Sequence, residues 1–272
     1  MVENWLALHV TSNCQLRCKH CYCRNYISTT NDEIPLEFIK NLCEDFLSTE
    51  FPLREYSIIL SGGEPLLYPE LEQLCDLVRE FQDHIILSTN GILIPKYVEQ
   101  GAFEKKDGIQ VSIDGDRATH DRIRGNGSYD KAVEALACLQ EQGINHSIGF
   151  ALCKLNFHCI DHIIELCKQY ECSMLNFGLY QPFKNFNKTV RFSEWVKAKE
   201  YVSTHIQTLV TCIETGCVAG IYGIAVTPDL NYWDCPRHQE IIGRYPQPIQ
   251  TVIKNPEEMM NPFDTCCKYL GW

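Results

Sequence analysis

Three cysteines near the start of the chain carry its densest chemistry: Cys14-Gln15-Leu16-Arg17-Cys18-Lys19-His20-Cys21, a C-x3-C-x2-C spacing. The apolar run at 5–10 reads as a strand, so the cysteines fall in the loop that follows it. A loop of this length can wrap three thiolates around one face of a cubane iron–sulfur cluster. The fourth iron stays open, and an open metal position is where chemistry happens. Structural zinc usually takes four ligands from two paired arms. Cys23 is only two residues from Cys21 and has no partner arm, so the spacing favours iron–sulfur over zinc.

The elements that must position this loop alternate between strand and helix. Apolar β-rich runs at 5–10, 56–60, 84–88, 109–113, 146–152 and 173–179 read as strands. Helical spacing marks 35–49, 69–81, a short piece near 95–101, 128–142 and 157–170. Pro35 sits at the first turn of the first helix, and Gly143 stops the helix at 128–142. Repeated βα units imply parallel strands. Six strands are too few for a closed eight-stranded barrel, so the expectation is an α/β fold, an open or partial (β/α)6 barrel. Gly, Ser, Asn and Asp gather just after the strands, on the face where barrel folds build their sites. After residue 183 the pattern changes. A helix is expected over 193–214, with Trp195, Val202, Ile206 and Leu209 on one face. Then follow Cys217, a hairpin-like stretch at 219–234, and a Pro-rich tail ending in Cys266-Cys267. The reading places one domain at 1–183 and a second at 184–272.

The cysteine motif, with His20 in the slot before its last cysteine, resembles the C-x3-C-x-aromatic-C signature of radical S-adenosylmethionine (SAM) enzymes. That family binds a [4Fe–4S] cluster whose open iron chelates the amino and carboxylate groups of SAM. Reductive cleavage of SAM then yields a 5′-deoxyadenosyl radical that abstracts a substrate hydrogen. Later segments are similar to the family's other turns, in the family's order over roughly residues 5–183. Gly62-Gly63-Glu64 resembles the GGE motif at the SAM amino group. Ser88-Thr89-Asn90-Gly91 resembles the T-N-G turn. Ser112-Ile113-Asp114-Gly115 resembles the S-x-D-G turn near the ribose. His120-Asp121-Arg122-Ile123-Arg124-Gly125 resembles the H-D-x-x-R-G segment, which implies that Arg124 faces the SAM carboxylate; a guanidinium suits that role.

Cys217 and Cys235, separated by 17 residues that read as a hairpin, resemble the "Twitch" domain, the shorter relative of the SPASM domain. The resemblance implies an auxiliary [4Fe–4S] cluster on Cys217, Cys235, Cys266 and Cys267. The family more often closes this site with a spaced pair, whereas Cys266 and Cys267 are adjacent; Cys212 or an open iron is the alternative. A zinc knuckle or plain thiols is the bland reading. Cys153 and Lys154 follow the fifth strand, and Tyr180 and Gln181 the sixth. Cys153 is the candidate catalytic residue, a thiol that returns a hydrogen atom to a carbon radical, with simple packing as its rival. Cys43, Cys75, Cys138, Cys159 and Cys167 sit in apolar helical patterns and read as small buried hydrophobes.

The SPASM/Twitch branch is rich in peptide-modifying enzymes, so a ribosomally made peptide is the first substrate class, and a small molecule handled by an oxidoreductase the second. A glycyl-radical activating enzyme and a zinc-binding interaction module are the remaining alternatives. Only 13 residues precede Cys14, so a separate protein or the barrel itself is expected to hold a peptide. The resemblance also implies a reducing partner such as flavodoxin or ferredoxin.

Composition narrows the setting. Of 272 residues, 45% are hydrophobic and 22% charged, ordinary globular usage. The net charge of -11 argues against a nucleic-acid partner, which would call for a basic face that Arg117, Arg122 and Arg124 are too few to make. No apolar run approaches membrane-spanning length, and no signal peptide is evident. Sixteen cysteines without a signal fit a cytoplasmic metal protein better than a disulfide scaffold.

Overall fold

The computed structural model describes residues 3–27, 32–180, 189–210, 219–255 and 257. Cys212, Cys217, Cys266, Cys267 and Gln181 lie outside the described residues. The chain divides into two compact units. The first comprises Met1–Gln15, Tyr22–Leu87 and Glu214–Cys266; the second comprises Leu16–Cys21, Ser88–Ile213 and Cys267–Trp272.

The first unit begins with β1 (Asn4–Thr11), followed by helix α1 (Leu36–Ser48), β2 (Tyr56–Gly62), α2 (Leu71–Gln82) and β3 (Ile86–Thr89), whose last two residues belong to the second unit. β1 pairs parallel with β2, and β2 with β3. Nearly every side chain of β1 is buried. That is the pattern of a parallel strand covered on both faces rather than an alternating one. Leu6, Leu8, Ile58 and Leu60 are fully buried, as are Ile39, Leu42, Cys43 and Phe46 of α1 and Leu74, Cys75 and Val78 of α2. The apolar stripes at helical spacing therefore do face a core.

The second unit contains α3 (Ile94–Glu99), β4 (Gly108–Ser112), α4 (Arg117–Arg124), α5 (Ser128–Gln142), β5 (His146–Leu152), α6 (Ile160–Gln169), β6 (Leu175–Leu179), α7 (Phe192–Ser203) and β7 (Thr208–Val210). β4 to β7 pair in sequence order, all parallel. Gly143 caps α5 in the left-handed conformation at φ 65°. Asp116 caps α4, its side chain accepting the Thr119 backbone N–H at 2.8 Å. Sequence periodicity gave α4 no signal, because its polar residues outnumber its apolar ones.

The helix expected over 193–214 ends at Ser203 instead. The Thr204 hydroxyl and the His205 ring both bond the Tyr201 carbonyl, at 2.7 and 2.8 Å, and so occupy an acceptor at the helix end. The following Ile206-Gln207-Thr208-Leu209-Val210 is rich in β-branched residues and adds a seventh parallel strand, registered Leu175↔Thr208 to Phe177↔Val210. Leu209 is half-exposed rather than part of a buried helical stripe.

Three further strands belong to the first unit: β8 (Gly223–Val226), β9 (Asn231–Trp233) and β10 (Ile241–Arg244). β8 and β9 form the expected antiparallel hairpin, with Pro228 and Asp229 in its turn. β8 also pairs parallel with β1, from Trp5↔Gly223 to Leu8↔Val226. Among the described residues, no helix is long and apolar enough to cross a membrane.

The core of the first unit includes an ionisable histidine. His9 of β1 is fully buried among Tyr22, Tyr26 and Trp233, with Nδ1 2.7 Å from the Tyr26 hydroxyl. Burial lowers its pKa to about 3, from 6.5. The unfolded state therefore binds a proton that the folded state refuses between those values, and stability falls as pH drops through that window. The cost reaches at most about 1.4 kcal/mol per pH unit. His9→Gln is expected to flatten the fall in urea-unfolding midpoint between pH 7 and pH 5; an unchanged slope would assign the acid sensitivity elsewhere.

Candidate functional site

The cysteine loop leaves β1 against the turn that ends β2. The Gly63 N–H donates to the Thr11 carbonyl at 2.8 Å, and the Glu64 N–H to the Asn13 carbonyl at 2.7 Å. A Cβ at Gly63 would lie 2.2 Å from the Asn13 oxygen, and one at Gly62, whose φ is 124°, 2.8 Å from the Thr11 oxygen. Two glycines are thus required here for backbone to lie on backbone. Glu64 is buried and caps the short turn after it, accepting the Leu66 N–H at 3.2 Å. This turn fixes the start of the loop at Ser12-Asn13, directly before Cys14.

The rest of the loop is anchored within the second unit. The Lys19 N–H donates to the Ile123 carbonyl at 2.9 Å, and the Cys18 Sγ lies 4.0 Å from the Arg124 carbonyl oxygen. Cys14, Cys18 and Cys21 are all partly exposed. Burial raises the Cys18 pKa while the Arg124 charge lowers it.

The centre of this arrangement is Asp114, fully buried just past the end of β4. One carboxylate oxygen accepts from His20 Nε2 at 2.7 Å and from Arg124 Nε; the other accepts the Ala151 N–H at 3.0 Å. Its own N–H donates to His120 Nδ1 at 3.2 Å. Burial alone would raise the Asp114 pKa, but the Arg124 charge and the hydrogen bond from His20 outweigh it and hold the carboxyl well below the usual range. Burial and the Arg124 charge together lower His120 to about 4, which leaves it a neutral acceptor at physiological pH. Because a carboxylate only accepts, His20 Nε2 carries the proton. His20 Nδ1 is buried and has no hydrogen-bond partner among the described residues. The His20 ring stacks on Tyr180, centroids 6.1 Å apart.

The other motif residues line the ends of β3 to β5. Ser88 accepts from Gln110 Nε2 at 3.1 Å, and Gln110 in turn accepts from Asn176 at 2.6 Å. Thr89 and Asn90 accept backbone N–H groups two residues on, from Gly91 and Ile92, both at 3.0 Å. Ser112, the last residue of β4, pairs with Gly149. Cys153 is fully buried in a small apolar cluster with Ile123 and Tyr180, and burial pushes its pKa up to about 11. Lys154 is exposed. Cys43, Cys75, Cys159 and Cys167 are buried as expected, whereas Cys138 is half-exposed.

Sequence reading missed a basic cavity of about 850 Å³ on α4 and the cysteine loop. Arg17 and Lys19 join Arg117, Arg122 and Arg124 in its lining, with Asp121 the one acid. The loop residues were hidden because they are distant in sequence from α4.

In the first unit, the described auxiliary-site candidate is Cys235. Its Sγ accepts the backbone N–H groups of Arg237 at 3.2 Å and His238 at 3.4 Å. Asp234 beside it is buried and accepts from His238 Nδ1 at 2.6 Å. Asp234, His238 and Glu240 cluster closely enough to hold an ion, but Lys254 Nζ already lies 3.4 Å from Asp234 and 3.5 Å from Glu240 and supplies the counter-charge.

The Fe-coproporphyrin III synthase of Methanosarcina barkeri is 34% identical over 59% of this chain and 40% of its own length. The mycofactocin maturase MftC of Mycobacterium tuberculosis is 28% identical over 62% of this chain and 43% of its own length. The chain thus spans well under two thirds of these relatives. The structure of Streptococcus suis SuiB bound to precursor peptide SuiA superposes on 93% of this chain and 65% of its own, with a TM-score of 0.76 at 15% identity. That likeness shows the partial-barrel α/β fold with its parallel sheet. Residues 8–167, more than half of the chain, match the family described as the radical SAM superfamily. Its members use a [4Fe–4S] cluster and SAM, and the chain belongs to that superfamily.

Proposed function

We propose that this chain is a radical SAM enzyme that modifies a ribosomally made peptide, with the catalytic cluster held by Cys14, Cys18 and Cys21. Bound together, the cluster and SAM supply a carbon radical that abstracts a hydrogen atom from an unactivated C–H bond. The observation that carries the reading is Asp114, whose buried carboxylate ties His20, the residue before Cys21, to Arg124. The residues fit the cofactors. Three partly exposed thiols lie on one loop, and the buried His20 Nδ1 beside them has an acceptor to offer. Arg124 keeps its charge, since Asp114 outweighs the effect of burial, and so suits a ligand carboxylate. Gly62, Gly63 and Glu64 hold the loop entry, and Ser88, Asn90, Ser112 and Asp114 form the polar rim at the strand ends. An external one-electron donor, a flavodoxin or ferredoxin, belongs to this reading, and the basic cavity beside Cys18 offers such an acidic carrier a docking face.

Peptide modification is supported by the likeness to a mycofactocin maturase and to a fold neighbour bound to its precursor peptide. The second reading, small-molecule oxidation, is favoured by the higher identity to the Fe-coproporphyrin III synthase. Within either reading, residues 184–272 form an auxiliary-cluster segment with Cys217, Cys235, Cys266 and Cys267 as ligands. For Cys235 the support is chemical: amide N–H groups aimed at one sulfur stabilise a thiolate, as around metal-bound cysteines. The setting is cytoplasmic.

Three outcomes follow from these assignments. Reconstituted without oxygen and given SAM and a strong reductant, the wild type should release 5′-deoxyadenosine. The Cys14→Ala/Cys18→Ala/Cys21→Ala variant should release none above background; equal yields would end the cluster assignment. Cys217→Ala/Cys235→Ala should lose about four irons per chain, and an unchanged iron count would leave the second cluster without its ligands. Burial keeps Cys153 as S–H, the form a hydrogen-atom donor needs. Cys153→Ala should therefore abolish deuterium uptake into product from heavy water, and persistent uptake would return Cys153 to a packing role.

A further inference from the structure

The C-terminus of α6 carries a group of side chains that the proposed reaction does not use. The helix closes with two reversed bonds: the Cys172 N–H donates to the Cys167 carbonyl at 2.9 Å, and the Glu171 N–H to the Lys168 carbonyl at 3.3 Å. Glu171 takes the left-handed conformation at φ 52°. This closure brings the side chain three from the helix end against the one two beyond its cap, a contact usually made by an apolar pair. Here both positions are cysteine. Cys167 is buried, while Cys172 is half-buried.

His146, the first residue of β5, lies beside them. Its Nδ1 is 2.8 Å from the Ile144 carbonyl oxygen, and its Nε2 is 2.8 Å from the Tyr170 carbonyl oxygen. Carbonyl oxygens only accept, so both nitrogens must donate, and only the imidazolium has two N–H groups. The ring is 5% exposed. A buried cation requires compensation. Burial would lower the His146 pKa, but the nearby Cys172 thiol and the hydrogen bonds to the two carbonyls raise it. The neighbouring Cys167 and His146 together pull the Cys172 thiol below its ordinary range, while Cys167 is pushed up.

We propose that Cys167 and Cys172 form a thiol–disulfide exchange site, with Cys172 as the attacking thiolate, buried His146 as its counter-ion and a small disulfide such as oxidised glutathione as the reagent. The Cys172 thiolate attacks one sulfur of the reagent. A protein–glutathione disulfide forms, and one glutathione leaves as thiolate. Cys167 gives up its proton and attacks Cys172 Sγ, which expels the second glutathione; that thiolate takes the proton. Two protein thiols are oxidised and one small disulfide is reduced to two thiols, so electrons and protons balance. His146 is a positioning residue: it touches no reagent and holds Cys172 charged.

The test uses cluster-loaded protein without oxygen. Lys168 lies between the two cysteines, so trypsin separates them and their disulfide appears as a linked pair of peptides. With oxidised glutathione, wild type should give that pair. Cys167→Ser should instead accumulate a glutathione adduct on Cys172, and Cys172→Ser should give neither product. In untreated wild type, iodoacetamide at pH 7 should label Cys172 about tenfold faster than the half-exposed Cys138, as a thiolate does relative to a thiol. His146→Gln should erase that advantage while leaving Cys138 unchanged. Labelling of Cys172 no faster than Cys138 in wild type overturns the proposal, as does the absence of both linked peptides in wild type and adduct in Cys167→Ser.

Discussion

A buried carboxylate cannot stay charged without partners, and Asp114 has gathered three: an imidazole, a guanidinium and a backbone N–H. Each comes from a different stretch of the second unit, from the cysteine loop, from α4 and from β5. Removing one partner would leave a desolvated charge, which is far costlier than losing an exposed hydrogen bond. The loop that carries Cys18 and Cys21 therefore has its position set by electrostatics rather than by its own short, polar sequence. Arg124 is bound by the same logic, because its charge is compensated only where Asp114 stands.

Much of this was legible before any coordinates. The parallel strands announce themselves as apolar runs, and the helices by their stripes, because burial on both faces leaves no choice of residue type. The motif turns after each strand could be read as a set, since sites in such folds collect at strand ends. What escaped was what depends on contacts distant in sequence. Ile206 and Leu209 fit a helical face as well as a strand, and only the pairing with β6 decides between them. Helix α4 is too polar to show a stripe, although its Asp116 cap could have been found from the Asp-x-x-Thr spacing. The union of Arg17 and Lys19 with the arginines of α4 has no local signal at all.

The glycines of the turn after β2 show how a motif residue can have more than one reason to be what it is. Their close approach is to the Thr11–Asn13 backbone, so they first serve the loop that bears the cysteines. A change there would move the loop before it touched any ligand. Cys235 makes a parallel point in the other direction. Nothing in its immediate sequence distinguishes it from a buried thiol such as Cys75, yet its sulfur has two backbone amide hydrogens aimed at it.

The pairing of β8 along β1 has a consequence for how the chain is made. β1 lies between β2, about fifty residues downstream, and β8, more than two hundred residues downstream. During synthesis the first strand can gain one neighbour early, but its other edge stays open until β8 has left the ribosome. A strand with a bare apolar edge is a template for wrong pairing, and closing so long a loop is slow because its entropy must be lost before the contact rewards it. β8 is thus also the segment whose late arrival ends the period in which that edge is vulnerable, and truncation before residue 223 would leave the strand leading into the cysteine loop permanently half-paired.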